Sequence, residues 1–360
     1  KQEESILEQI LAKDILLAFP YQDYQNIVSV LNEAAEHPAV QKIQITLYRV
    51  AKDSQICQHL EKAVKNGKEV VVYTELKARF DESSNLYWND RLRQAGAKIY
   101  DEVKDLKTHA KVFQIEMKNG KGNYLISHLG TGNFNEKTAG IYTDFSLLTA
   151  RQEINSEVSK VFEFLTGKSQ ELKTRHLLTS PYGMRIAVEE MIDREIQHAR
   201  LGKKARIILK LNSLEDNRMI DKLYEASSAD VQVDLIVRGI CCLKAGVKGL
   251  SENIRLVSLV GRYLEHSRCY YFENGGESKI YCSSADFMGR NLDKRVEVGF
   301  PILDRNHKAF IAEYLEQQLA DTVKQRVLNQ KLENNYAEAP AGQRLNAQEE
   351  VRNLIQTFQL

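Results

Sequence analysis

Residues 109–116 read HAKVFQIE and residues 266–273 read HSRCYYFE, and these two octets decide how the chain is divided. Both fit the pattern H-x-[K/R]-x4-E. A single H-x-[K/R] triplet arises by chance in many proteins, whereas the same octet in matching places of two halves is a much stronger signal. The sequence therefore predicts an internal repeat with one histidine–cation motif in each half.

The segment before the first octet has the pattern of alternating strands and helices. Residues 42–50 (KIQITLYRV) alternate as a strand does, with one face formed by Ile43, Ile45, Leu47 and Arg49. A helix capped by Asp53 or Ser54 follows and ends at Gly67. Residues 69–73 (EVVVY) then form a short buried strand. We expect a further helix and a hairpin that begins with the octet.

The second half repeats this order. Arg206–Leu211 (RIILKL) corresponds to the first strand, and residues 231–238 (VQVDLIVR) correspond to the second. Between them lies a helix whose apolar face carries Met219, Leu223 and Ala226. Strands that alternate with helices in both halves place the chain in the α/β class.

Two tandem α/β domains follow from the repeat. We expect the first over residues 1–175, with His109, and the second over residues 176–360, with His266. The boundary falls in the turn-rich stretch 166–182. Beyond Phe310 the second domain continues as a helical tail with one side formed by Ile311, Tyr314, Leu315, Leu319 and Val323. Residues 339–342 (APAG) break it before a final amphipathic helix, and we assign this tail no chemistry.

Composition excludes several classes of protein. The 360 residues are 43% hydrophobic and 28% charged, with a net charge of +1, which argues against a general nucleic-acid binder. No apolar run is long enough for a transmembrane helix. The five cysteines form no CxxC pair, so we expect free thiols in the cytoplasm. The chain starts at Lys1 and not at methionine, so we expect it to begin inside a larger protein.

The octets place an imidazole beside a cation. Residues two apart in a strand share a face at about 6.6 Å, so His109 should neighbour Lys111, and His266 should neighbour Arg268. A neutral imidazole can attack phosphorus without a strong base, and a fixed cation offsets charge on the phosphoryl oxygens. The alternative is a half-exposed histidine–lysine strand with no role.

Further anion-binding groups surround the octets. Residues 130–135 (GTGNFN) offer backbone N–H groups and the amides of Asn133 and Asn135, and residues 283–286 (SSAD) hold the matching place. Arg49 and Arg238 end their strands and Arg79 follows one, at the sheet edge where open α/β sheets bind ligands, and these arginines could bind phosphate oxygens. An ordinary turn and surface salt bridges with Glu75, Asp81 or Glu82 are the alternatives. No GxxxxGK[ST] or GxGxxG motif is present.

Long stretches of the chain resemble bacterial polyphosphate kinases of the histidine-phosphorylated type. They are ITLYRVAKDS (45–54), ELKARFDE (75–82), KTHAK (107–111), GTGNFNEKTAGIYTDFSLLTA (130–150), RYLEHSR (262–268) and FENGGESKIYCSSADFMGRN (272–291). The likeness covers the carboxyl-terminal half of that family. It implies two phospholipase D-like α/β domains with the active site between them, followed by carboxyl-terminal helices.

The resemblance also implies roles for individual residues. It makes His109 the autophosphorylated nucleophile and His266 a second catalytic histidine, which acts as general acid/base and contacts ATP. Arg49 and Arg79 match the phosphate and magnesium site, where they would hold phosphate oxygens that also bind Mg²⁺. Other positions that match or add ATP and phosphate contacts are Tyr142, Arg238, Arg295, Asn133 and His128. Lys111 and Arg268 complete the catalytic set.

The function that follows is reversible transfer of the terminal phosphate of ATP to inorganic polyphosphate through a phosphohistidine. ATP, ADP, polyphosphate and Mg²⁺ are the implied ligands, and the full-length parent is expected to be a cytoplasmic homo-oligomer, with peripheral attachment to the inner membrane left open. The alternatives are a phospholipase D-like phosphodiesterase and an inactive polyanion-binding fragment. Arg268, where that fold expects lysine, and Glu116 and Glu273, where it expects aspartate, weigh against a phosphodiesterase.

Overall fold

The computed structural model describes residues 5–75, 82–101, 105–120, 122–331, 333–338 and 344–360. The chain forms two compact units. Unit 1 comprises residues 1–179 together with 294–298, and unit 2 comprises residues 180–293 together with 299–360. Arg79 and residues 339–342 lie outside the described residues.

The helices and strands of unit 1 alternate along the chain. In order they are α1 (Ile6–Ala12), β1 (Ile15–Phe19), α2 (Gln25–Glu36), β2 (Val40–Leu47), α3 (Gln55–Lys65), β3 (Glu69–Thr74), α4 (Glu82–Ala95), β4 (Lys98–Tyr100), β5 (Lys107–Thr108), β6 (Lys111–Asn119), β7 (Gly122–Gly130), α5 (Glu136–Ala139), β8 (Tyr142–Thr149), α6 (Gln152–Leu165) and, at the boundary, β9 (Leu178–Ser180). The sheet has the order β1-β8-β7-β6-β2-β3-β4. Strands β2, β3 and β4 are parallel, and β6, β7 and β8 run antiparallel beside them.

Unit 2 has the same arrangement. Its elements are α7 (Met184–Arg200), β10 (Arg206–Leu211), α8 (Asn217–Ser228), β11 (Gln232–Val237), β12 (Ile254–Leu259), β13 (Leu264–Glu265), β14 (Arg268–Phe272), a 3₁₀ turn (Asn274–Gly276), β15 (Lys279–Ser283), α9 (Gly289–Asp293), β16 (Arg295–Pro301), α10 (Arg305–Leu319), β17 (Gln325–Leu328), β18 (Asn334–Tyr336) and α11 (Ala347–Phe358). The strand order is β18-β17-β12-β11-β10-β14-β15-β16. The first four residues of β16, up to Val298, belong to unit 1.

Strand registers confirm the internal repeat residue by residue. In unit 1, Phe113 of β6 lies opposite Ile45 of β2, and in unit 2, Tyr270 of β14 lies opposite Leu209 of β10. Phe113 and Tyr270 each come four positions after the histidine of their octet. The next pair of strands also matches, since Lys111 faces Gly130 and Arg268 faces Ser283. The GTGN and SSAD stretches therefore occupy corresponding places.

Two element ends differ from the sequence prediction. Strand β2 ends at Leu47 and not at residue 50. The backbone of the loop that follows bonds to a side chain instead of a neighbouring strand, because Val50 N donates to Asn85 Oδ1 of α4 at 3.2 Å. Helix α10 ends at Leu319, so Val323 is not helical. The carboxylate of Asp321 accepts three successive backbone N–H groups, from residues 323–325, which competes with continuation of the helix.

Helix α4 fixes the edge of the unit 1 sheet where β2 and β3 end. The Asn85 amide donates to the carbonyls of Tyr48 and Glu75, each at 3.0 Å, in addition to accepting from Val50. The Trp88 indole donates to the carbonyl of Ala51 at 3.1 Å. Because Asn85 and Trp88 are buried, these bonds hold the loop after β2 in one conformation.

We expect Asn85→Ala to lower the free energy of unfolding by about 2–4 kcal/mol, because it leaves buried backbone groups of two loops without partners. Urea unfolding of the variant and of the unsubstituted chain measures this difference in the free energy of unfolding. Gln94→Ala, at an exposed position of the same helix, is the control and should change stability by about 0.5 kcal/mol or less. Equal unfolding midpoints for the two variants would show that α4 does not fix this edge.

Candidate active site

The sequence predicted His109 within a strand. In the structure it lies in a break between strands β5 and β6 of unit 1. The backbone N–H groups of His109 and Ala110 both donate to the carbonyl of Val296, each at 2.9 Å, which interrupts the regular ladder. The break follows the parallel pairing of β5 with the start of β16, where Lys107 faces Arg295. The imidazole is thereby brought against the side chain two residues further along β16.

That side chain is Glu297, which the sequence analysis did not identify. Its Oε2 lies 2.9 Å from Nδ1 of His109, and the carboxylate is fully buried. The carboxylate accepts a hydrogen bond from a protonated Nδ1, so the Nε2 lone pair of His109 remains for attack on an electrophile. The signal was present in the sequence, because Glu297 is a lone acidic residue in the otherwise apolar run VEVGF (296–300).

Burial keeps the His109 imidazole neutral. Desolvation lowers the pKa of His109 to about 3, against the carboxylate of Glu297, which raises it, while the positive charges of Lys111 and Arg295 lower it further. A ring that is neutral across the physiological pH range is a competent nucleophile.

The side chain of Lys111 holds the backbone of His109. The buried Nζ donates to the carbonyl oxygen of His109 and lies 5.4 Å from the centroid of the Tyr48 ring. The same Tyr48 ring meets the His109 ring edge-on, with centroids 4.8 Å apart. The guanidinium of Arg49, a half-buried residue, lies 5.8 Å from the centroid of the same Tyr48 ring. Tyr48 thus connects His109 with two cations.

The loop that contains residues 130–135 is shaped by one buried carboxylate. Thr131 Oγ1 donates to Asp144 at 2.6 Å and accepts from the backbone of Phe145 at 3.0 Å. A Cβ on Gly132 would lie 2.4 Å from Asp144, so this position requires glycine. Asn135, whose amide was predicted as a donor to an anion, uses its side-chain oxygen to cap α5 by accepting from Lys137 N, and donation from its amide N–H groups to phosphate stays a prediction.

Three further residues that the sequence singled out lie in or near this loop. Asn133 and Tyr142 are half-buried. His128 is buried, stacked on Phe113 with ring centroids 4.9 Å apart, and its Nε2 lies 2.8 Å from Ser146 Oγ. Burial lowers the pKa of His128 to about 3. These contacts are those of a core histidine, and a contact with phosphate stays a prediction for all three.

The corresponding site in unit 2 has a different chemistry. Arg268 Nη1 lies 3.3 Å from Nε2 of the half-buried His266 and donates to its carbonyl at 2.8 Å. Behind it, Asp286 accepts from Arg268 Nη2 at 3.0 Å. Burial alone would raise the pKa of Asp286, but Arg268 and two backbone N–H groups bring it to about 2. The ionised carboxylate therefore fixes the guanidinium beside the imidazole.

Asn212 connects Arg238 with His266. Arg238 Nε donates to Asn212 Oδ1 at 2.6 Å, and Asn212 Nδ2 donates to the carbonyl of His266 at 3.2 Å. The Asn212 N–H in turn donates to Asp286 at 2.7 Å. The structure thus brings Arg238, Arg268 and His266 into one hydrogen-bonded group. Sequence reasoning missed Asn212, because an asparagine after a strand carries no distinctive pattern.

Within the described ranges, no group of three or more His, Cys, Asp or Glu side chains could hold a metal ion. A guanidinium cannot ligate a cation, so a magnesium ion at Arg49 would have to be bound by phosphate oxygens and water. Among the helices that the structure describes, none is long and apolar enough to cross a bilayer.

Family models and known proteins identify the family of this chain. The family model of polyphosphate kinase C-terminal domain 1 matches residues 5–171, and that of C-terminal domain 2 matches residues 177–348. The chain belongs to the polyphosphate kinase family. The polyphosphate kinase of Salmonella typhimurium is 45% identical over 341 residues, which are 95% of this chain and 49% of that protein. The Bacillus cereus enzyme is 48% identical over 328 residues, which are 91% and 47% of the two chains.

Solved structures agree with the family. The polyphosphate kinase of Porphyromonas gingivalis matches 99% of this chain and 55% of its own, with a TM-score of 0.93 and 41% identity. A phosphatidylserine synthase from Haemophilus influenzae matches 98% of this chain and 96% of its own, with a TM-score of 0.57 and 11% identity, which shows the fold alone. The predicted phospholipase D-like α/β fold is confirmed. The chain spans about half the length of the curated family members it matches.

The neutral state of buried His128 predicts how stability depends on pH. Its pKa is lower in the folded chain than in the unfolded chain, so the unfolded chain binds more protons between pH 6.5 and 3, and stability falls as pH falls. His128→Phe keeps an aromatic ring and removes the titration. We expect the loss of stability from pH 7 to pH 5 to be smaller in this variant by about 2 kcal/mol.

Urea unfolding at several pH values measures this difference. Ser146→Ala, which removes the partner of Nε2 but keeps the imidazole, is the matched control and should retain the pH dependence of the parent. Parallel stability curves for the parent and His128→Phe would mean that His128 does not resist protonation.

Proposed function

We propose that this chain carries the catalytic residues of an ATP:polyphosphate phosphotransferase. The observation that carries the proposal is the buried, neutral imidazole of His109 with Nδ1 bonded to Glu297, in a chain that belongs to the polyphosphate kinase family. Since the chain spans only part of its relatives, the activity and substrates of the whole protein are part of this proposal.

In the first step, Nε2 of His109 attacks the γ-phosphorus of ATP. The new P–N bond forms as the bond to the β,γ-bridging oxygen breaks, and ADP leaves with the bonding electron pair. Positive charge that develops on the ring is stabilised by Glu297 through the Nδ1 proton. The product is a phosphohistidine.

In the second step, a terminal oxygen of polyphosphate attacks the phosphorus of the phosphohistidine. The P–N bond breaks, its electron pair returns to Nε2, and polyphosphate is longer by one unit. Because a phosphoramidate retains a high transfer potential, ADP can take the phosphoryl group in the same way, which makes the reaction reversible.

His266 is assigned the role of general acid/base near the leaving oxygen in the same transfer, and it also contacts ATP. The support is its ring nitrogen, 3.3 Å from a guanidinium that Asp286 holds in place. This guanidinium can bind a phosphate oxygen next to the transferred proton.

The remaining cations would stabilise the phosphoryl charge. They are Lys111, Arg49, Arg79, Arg238 and Arg295, and the expected nucleotide and phosphate contacts are Tyr142, Asn133 and His128. Mg²⁺ bound to the phosphates would supply further charge neutralisation, with Arg49 and Arg79 holding those phosphates. A cytoplasmic location and a homo-oligomeric full-length protein belong to the same proposal and rest on the family resemblance.

The covalent intermediate can be detected directly. Incubating the full-length gene product with γ-labelled ATP and Mg²⁺ should label the protein in a form that survives alkali and is released by acid, as a phosphoramidate is. His109→Gln should abolish the label, whereas residual label in His266→Ala should still map to the peptide that contains His109.

Three results would contradict this proposal. Label on His266 or His128 with His109 intact would exchange the roles of the histidines. Polyphosphate synthesis without any labelled protein would replace the two-step scheme by direct transfer. Hydrolysis of a phosphodiester substrate without ADP formation would instead indicate a phosphodiesterase.

The role of Arg49 can be tested without removing its charge. Arg49→Lys and Arg79→Lys should each lower kcat by about 10²–10³, because a lysine cannot bind two phosphate oxygens in a planar fork. Steady-state formation of ADP measures the effect. Lys52→Arg, at an exposed position near Arg49, is the control and should leave kcat unchanged. Near-parental kcat for both lysine variants would reassign the two arginines to surface salt bridges.

A further inference from the structure

The carboxyl-terminal helix α11 places one buried side chain against the segment that contains His266. Gln348 Nε2 donates to the carbonyl of Tyr263 at 2.9 Å and to Glu265 Oε1 at 2.6 Å, and its Oε1 accepts from Tyr263 N at 3.0 Å. A Cβ on Gly261 would lie 2.4 Å from Gln348 Oε1, so the glycine makes room for the amide. All hydrogen-bonding groups of this amide therefore face one short stretch of chain.

Glu265 is the centre of a buried polar network. Lys210 Nζ lies 3.0 Å from Glu265 Oε2, which also accepts from Gln318 at 2.8 Å and from Tyr314 at 3.1 Å. Both members of the ion pair are buried. A buried ion pair is held at low cost only when its remaining hydrogen-bonding groups are satisfied, and Gln348 satisfies the second oxygen of Glu265.

The network reaches both neighbours of His266. Glu265 precedes the histidine, and Lys210 also donates to the carbonyl of Ser267, which follows it, at 3.1 Å. The carbonyl of His266 itself is held by Asn212 and Arg268. The backbone on each side of the imidazole is thus fixed by side chains distant in sequence.

We propose that Gln348 is a positioning residue for His266. By holding Tyr263 and Glu265, it sets the backbone from which the imidazole projects, so the last helix has a part in catalysis that its sequence did not indicate. The inference rests on the proposed function of His266, but it concerns placement of the ring and not its chemistry.

Helix α11 has attachments besides Gln348, which allows the amide to be tested alone. Asp321 accepts from Ala347 N at 2.7 Å, and the rings of Phe358 and Phe310 pack edge to face with their centroids 5.9 Å apart. We therefore expect the helix to stay docked when only the amide of Gln348 is replaced. Methionine is the suitable replacement, because it keeps the length of the side chain and removes its hydrogen bonds.

The experiment compares ATP turnover with polyphosphate in the full-length gene product. Gln348→Met should lower kcat about 10-fold or more, since misplacement of a catalytic group by about 1 Å can cost up to 10²-fold, and it should raise KM for ATP no further than His266→Ala does. Gln356→Ala, at an exposed position of the same helix, is the control and should keep the parental kcat. Thermal unfolding identifies any variant that is unfolded at the assay temperature.

A double variant distinguishes positioning from general stability. If Gln348 acts through His266, Gln348→Met should slow His266→Ala no further, whereas independent effects would multiply. Gln318→Met, which removes a donor to Glu265 from α10, is a second probe and should behave in the same way. A folded Gln348→Met protein with parental kcat, or multiplicative effects in the double variant, would overturn the inference.

The inference and the proposed function fail in different ways. Absence of acid-labile label at His109 in the parent protein would remove the proposed function. Normal labelling of the parent together with full turnover of Gln348→Met would remove only the role of Gln348.

Discussion

The hydrogen bond between His109 and Glu297 joins residues 188 positions apart and governs the chemistry of unit 1. It forms because the start of β16 pairs with β5, which brings a fully buried carboxylate to the side of the imidazole. One contact sets both the tautomer and the ring orientation, while burial keeps the ring neutral. Without the pairing, the buried carboxylate would lose a partner and the imidazole of His109 would be free to rotate.

The two halves share a fold and a motif but surround their histidines differently. His109 is almost fully buried, with a carboxylate as its ring partner, whereas His266 is half-buried, with a guanidinium as its neighbour. A carboxylate raises electron density on the ring and suits a nucleophile. A guanidinium attracts phosphate oxygens, which suits a group that lies beside a phosphorylated substrate. The repeat supplied two copies of one backbone motif, and different neighbours surround the two imidazoles.

Local patterns in the sequence predicted most strands and the correspondence of the two octets, because side-chain alternation and capping residues act over a few positions. Strand β10 and helix α3 with its Ser54 cap are examples. The side chains that complete the sites could not be predicted in this way. Glu297, Asn85 and Gln348 act on residues far away in the chain, so only the tertiary structure assigns them partners. The end of β2 was missed for the same reason, since a distant asparagine sets it.

The octet motif itself has a physical meaning beyond placing a cation near an imidazole. In both units the cation two positions after the histidine donates to the histidine's own carbonyl: Lys111 to His109 and Arg268 to His266. Each histidine lies in a break before a strand, where this carbonyl has left the regular ladder, so the cation stabilises the break. A lysine carries its three N–H donors on one nitrogen, whereas an arginine spreads five over a planar fork, which here also reaches Asp286 and the His266 ring. The Lys-to-Arg difference between the octets therefore changes the electrostatics of the histidine while preserving its backbone support.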